Sequence, residues 1–169
     1  MWTQIIAALA VLTLGSPVIS AAQSSQKSVD TYQWSAEFVS VDMNASALTV
    51  KAPVAYQDAI SELKQFKPGE RVWIVWSGIH DYSDAVRQFR RAEAGTKISE
   101  DLVMPAELVS TEAPNRYVTI RVKVPGSALA GVKAVKPGEW VTVTSRHRPS
   151  SDTEAVIGVT PYSASANKT

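Results

Sequence analysis

Phe66-Lys67-Pro68-Gly69-Glu70-Arg71-Val72-Trp73-Ile74-Val75-Trp76 is the stretch that decides how the chain is read. Lys67-Pro68-Gly69-Glu70 is a tight turn: proline presets φ at its second position and glycine accepts a positive φ at its third. The run behind it is rich in β-branched and aromatic residues, so a strand follows. A second version stands at Val135-Lys136-Pro137-Gly138-Glu139-Trp140-Val141-Thr142-Val143-Thr144. Two turn-strand units of this kind point to an internal repeat.

Working outward from the turns, the repeat extends in both directions. Ala36-Glu37-Phe38-Val39-Ser40 returns as Ala106-Glu107-Leu108-Val109-Ser110, and Leu48-Thr49-Val50-Lys51 as Val118-Thr119-Ile120-Arg121. The Pro-Gly-Glu turns align after a one-residue deletion, and Asp84-Ala85-Val86 then matches Glu154-Ala155-Val156. The repeats run over 34–92 and 104–162, joined by a linker at 93–103. Each begins with a short strand (35–42 and 105–112) and a turn-like segment. The second strand alternates: Leu48 and Val50 oppose Thr49 and Lys51, and Val118, Ile120 and Val122 oppose Thr119, Arg121 and Lys123.

A short helical insert follows, with Ala59, Ile60, Leu63 and Phe66 in one copy and Leu129, Val132 and Val135 in the other. The fourth strand is plain in the second copy, Ala155-Val156-Ile157-Gly158-Val159-Thr160. In the first copy Asp81 to Ala94 also fits an amphipathic helix carrying Tyr82, Val86 and Phe89. A shared fold favours a strand over 84–91. Four or five short strands and one insert in about sixty residues predict a mainly β protein built as two tandem open barrels, OB-like or SH3-like. Units of that size bury a modest core, so the two are expected to pack together.

The 169 residues start with 22 that carry no charged side chain. Ile5 to Leu14 is apolar, Gly15 and Pro17 interrupt it, and Ser20-Ala21-Ala22 offers small residues for cleavage. This reads as a secretory signal peptide over 1–22, and a periplasmic or secreted destination. The apolar run is well short of the roughly 20 residues of a membrane span, so no stable span is expected in the mature chain. Residues 23–33 read as a loose lead-in and 163–169 as a frayed tail.

With no cysteine there is no disulfide framework and no thiolate nucleophile. Seventeen basic residues against sixteen acidic ones do not suit a protein that coats nucleic acid. No Gly-x-Ser-x-Gly elbow, no phosphate-cradling glycine loop and no acid–base carboxylate pair is legible, so no catalytic residue and no cofactor is assigned.

The most specific hint is an outward Trp73 in the third strand, where the second copy has Thr142. Together with Trp76 and Tyr82 it forms a candidate aromatic patch, with Arg87 and Arg90 at its rim. Such a patch suits an envelope protein or an anionic envelope ligand. The alternative is packing against the other repeat or the helical insert. His80 and His147, the only histidines, make a second candidate, a metal-handling site, although matched further ligands are missing from the sequence.

Ala36-Glu37-Phe38-Val39-Ser40-Val41-Asp42, then Leu48-Thr49-Val50-Lys51, then Lys67-Pro68-Gly69-Glu70-Arg71-Val72 resembles a class of small exported bacterial β-barrel domains that includes the periplasmic copper carriers. The resemblance implies a barrel fold and an envelope compartment. Copper carriers of this class bind through a His, two Met and a stacked Trp. Met43 and Met104 form no such set here, so the resemblance does not extend to copper. The sequence thus points to a non-catalytic, exported binding or accessory module of the cell envelope.

Overall fold

The structure, a computed structural model, describes residues 30–76, 86–92, 102–112, 114, 116–149 and 151–163. The signal peptide, His80, Tyr82 and most of the linker and tail predicted above lie outside these residues. The first half contributes β1 (Thr31–Asp42), β2 (Ala47–Pro53), α1 (Gln57–Leu63), β3 (Arg71–Trp76) and β4 (Val86–Arg91). The second contributes β5 (Val103–Glu112), β6 (Tyr117–Lys123), α2 (Gly126–Leu129) with a 3-10 turn at Ala130–Val132, β7 (Trp140–Arg146), α3 (Asp152–Ala155) and β8 (Val156–Pro161). Of the ambiguous segment, Val86–Arg91 is a strand, as its counterpart β8 implies, and residues 81–85, 93 and 94 lie outside the described residues. The predicted lead-in is shorter than expected, because Thr31, Tyr32 and Gln33 pair with Arg146, Ser145 and Thr144 and Tyr32 is buried.

The two copies do not close into two barrels. The eight strands among the described residues join one open antiparallel sheet in the order β4-β3-β5-β6-β2-β1-β7-β8. The third strand of each half pairs with the first strand of the other: β3 with β5, and β7 with β1. The centre of the sheet is β6 against β2, with Val50 opposite Ile120. These two residues are each other's counterparts at an offset of 70, so a pseudo-two-fold axis passes through this pair.

The registers obey that axis throughout. Glu37 faces Lys51 as Glu107 faces Arg121, and a bulge interrupts both pairings, at Phe38/Ser40 and at Leu108/Ser110. The Pro-Gly-Glu turns dock onto these bulges across the molecule. Gly69 donates its N–H to the Leu108 carbonyl at 2.7 Å and Leu108 donates back to Glu70. Gly138 and Phe38 repeat the contact at 2.8 Å, with Phe38 donating to Glu139. Gly69 and Gly138 sit at φ 87° and 91°, the left-handed region that the turn requires of its third residue.

Alternation places one face of every strand in a shared core. Trp34, Ala36 and Phe38 of β1, Leu48, Val50 and Ala52 of β2, and Val72, Ile74 and Trp76 of β3 meet Met104, Leu108, Ile120, Val141 and Val143 from the second half. The Trp34 and Trp76 rings stack at 4.2 Å and 25°, and the Trp34 indole N–H donates to Ser145 Oγ at 2.9 Å. By the same axis Trp34 corresponds to Met104 and Trp76 to Ser145, so all four members of this cluster lie near it. Exchanging strands merges two cores that are marginal alone into one, which is the physical reason separate barrels lose.

The outer strands are guarded by the helical insert of their own half. Glu62 of α1 accepts the Phe89 N–H of β4 at 2.9 Å. At the other end, a Cβ on Gly131 would lie 2.5 Å from the Val159 carbonyl oxygen, so glycine lets the 3-10 turn approach β8. An occupied edge cannot recruit a foreign strand.

Candidate binding surface

Trp73 points away from the core and is half-buried. Its direct cross-strand neighbours are Arg90 on β4 and Pro105 on β5. Arg90 is steadied by Gln88, whose Oε1 accepts from its Nε and Nη2 at 3.0 Å. A half-buried tryptophan with an arginine and a proline as its cross-strand neighbours offers an apolar surface with a cation on the adjacent strand. Trp73 and Arg90 are thus cross-strand neighbours on β3 and β4.

The other members of the predicted patch fare differently. Trp76 shares parity with Val72 and Ile74, so it points into the core, 1 % exposed and stacked on Trp34. It cannot belong to an outward patch. Its Nε1 has no hydrogen-bond partner among the described residues, which fits a side chain selected for packing. Arg87 is exposed and stands at the irregularity where β4 slips one residue between Gln88 and Val86. Tyr82 is not among the described residues.

His147, the describable half of the metal alternative, is engaged in packing. Its ring stands edge-on to Tyr32 at 5.2 Å, and Nε2 lies 3.7 Å from Asp30 Oδ1. Burial raises the Tyr32 phenol well above its ordinary pKa, keeping it neutral. Among the described residues no three of His, Cys, Asp and Glu come together as a metal site would need.

Sequence reasoning missed a pocket of about 280 Å³ beside this surface. Ala45 and Ala47 line one end, Arg121 and Lys123 the middle, and Arg71, Pro105, Glu107 and Asp152 the other. Pro105 is shared with the Trp73 surface. The pocket is polar at its rim: Arg71 bonds both oxygens of Asp152, Arg121 Nη1 lies 3.4 Å from Glu107, and Lys123 Nζ donates to the Ala45 carbonyl at 3.1 Å. The only signal in the sequence was the pairing of small residues, Ala45 and Ala47, with a copy that carries Tyr117 instead.

The position related to this one by the pseudo-two-fold axis is filled by Tyr117. There the Lys51 ammonium sits 4.9 Å above the Tyr117 ring and 2.9 Å from Glu112. The hydrogen bond to Glu112 holds the Lys51 ammonium above its ordinary pKa. No helix among the described residues is long and apolar enough to cross a membrane. Compared with known protein families, with curated proteins and with solved structures, the chain finds no match.

Proposed function

We propose that this protein is a non-catalytic, exported binding or accessory module of the cell envelope that holds its protein or anionic partner against Trp73, with Arg90 and Arg87 on the cationic border. The observation that carries this reading is the break in internal symmetry at Trp73. It stands half-exposed between Arg90 and Pro105, where the second half has Thr142 facing Thr160 and Ser35. A sheet that needed only to fold could have had threonine twice. Aromatic and arginine side chains concentrate interface energy far more than threonine does. The charge-free start of the chain, with its Ser20-Ala21-Ala22, supports export, and the resemblance to exported barrel domains supports the same compartment.

Trp73→Thr is the informative variant because Thr142 already occupies the equivalent place. A photo-crosslinking side chain at Arg87 identifies the partner in intact envelopes, and its affinity is then measured with purified proteins. Trp73→Thr is expected to weaken that affinity at least tenfold, about 1.4 kcal/mol, while the unfolding midpoint moves by only a few degrees. Affinity equal to that of the parent would remove Trp73 from the binding surface.

A further inference from the structure

We infer that the pocket between Ala47, Arg121 and Lys123 binds a small aromatic carboxylate. The internal two-fold supplies the argument. Ala47 faces Lys123 across the central strand pair, and at the equivalent place Tyr117 faces Pro53. Arg121 is the counterpart of Lys51, and Arg71 that of Trp140. In one half, then, a cation lies over an aromatic ring of the chain itself. In the other half the cation remains, the ring is replaced by a methyl group, and a cavity of about 280 Å³ takes its place.

The size is at the low end for ligand pockets and suits a single ring. The ring's place is against Ala47, with its face toward the Arg121 guanidinium, the arrangement that Lys51 and Tyr117 already make within the chain. The charge of the ligand follows from the lining. Arg71, Arg121 and Lys123 stand against Glu107 and Asp152, a surplus of one positive charge. Arg71 is committed to Asp152. Lys123 is held only by the Ala45 carbonyl, with no carboxylate partner among the described residues. A carboxylate on the ligand completes Lys123 and adds an acceptor for Arg121, making charge-assisted hydrogen bonds at a half-open site.

This inference does not depend on the Trp73 surface, so its failure leaves that reading standing. The test is calorimetric titration of the full chain with three probes. 4-Hydroxyphenylacetate carries both ring and carboxylate, tyramine carries the same ring with the opposite charge, and cyclohexylacetate carries the carboxylate without a π face. The first is expected to bind with Kd on the order of 1 mM or tighter, and the other two at least tenfold more weakly. Ala47→Tyr, which installs the ring of the other half, is expected to abolish binding, and Lys123→Met to weaken it at least tenfold. If Ala47→Tyr does not fold, Lys123→Met and Arg121→Met, both at exposed positions, decide the matter. No binding of 4-hydroxyphenylacetate at about 10 mM, equal binding of tyramine, or full binding by Lys123→Met and Arg121→Met would each overturn the inference.

Discussion

Residues 30–92 expressed without the rest of the chain are expected to be unfolded as a monomer. In the intact protein β1 depends on β7, β2 on β6 and β3 on β5. Among the described residues, severing the halves leaves two strand pairs, β1 with β2 and β3 with β4, joined only by the isolated Val54–Val86 bridge and the Ala55 N–H bond to the Val86 carbonyl at 3.1 Å. Their core faces lose the partners that bury them, and an isolated pair of strands is marginal at best in water. The half chain cannot escape readily by pairing with a second copy. A symmetric dimer would bring two Trp34 and two Trp76 side chains to the axis, where the intact chain has Trp34, Trp76, Met104 and Ser145. Four indoles in that volume overpack the core. Circular dichroism and urea titration should show no cooperative unfolding for either half alone. Mixing the halves should restore a one-to-one complex that unfolds cooperatively.

Trp34→Ala has the largest expected effect of any single substitution. It removes a ring that is 1 % exposed, breaks the stack on Trp76 and takes the donor from Ser145, whose hydroxyl is fully buried. Truncating a buried tryptophan costs about 3–5 kcal/mol, and the Ser145 oxygen, left without its N–H donor while its own O–H still points to Met104 Sδ at 3.9 Å, adds to that. In a domain of this size the loss lowers Tm on the order of 10 °C. Trp140→Ala, at a position 39 % exposed, should cost less than about 1 kcal/mol. Urea midpoints of the two variants separate these outcomes. Equal costs would mean that the Trp34–Trp76 stack does not hold the halves together.

Local structure was legible because each signal has a local cause. The positive φ of Gly69 and Gly138, the alternation of β2 and β6, and the strand nature of β4 follow from residue types and from the requirement that two like copies fold alike. Partner choice was not legible, and the reason is physical. Ala36-Glu37-Phe38-Val39-Ser40 and Ala106-Glu107-Leu108-Val109-Ser110 present nearly the same pattern to β3, so pairing within a half and across the halves satisfies the same rule. Only the gain from merging two small cores separates them, and that gain is not written in any window of residues.

The site divides along the same line. Trp73 and Arg90 could be placed together because alternation and one hairpin suffice. Trp76 enters the candidate patch only by lying near Trp73 in sequence, and the alternation that places Trp73 outside places Trp76, in parity with Val72 and Ile74, within. The pocket needed the exchanged topology, since Arg71 of the first half and Asp152 of the second meet only when β3 lies beside β5.

The exchange itself can be tested with one bond, because the chain has no cysteine of its own. Ser35 on β1 pairs directly with Thr142 on β7, both on the face away from the core. A barrel closed within the first half would instead place Ser35 opposite Trp73, the counterpart of Thr142. Ser35→Cys with Thr142→Cys and Ser35→Cys with Trp73→Cys are oxidised as monomers, and disulfides are mapped by mass spectrometry. Exchange of strands requires a disulfide in the first variant and free thiols in the second. The reverse pattern would contradict it.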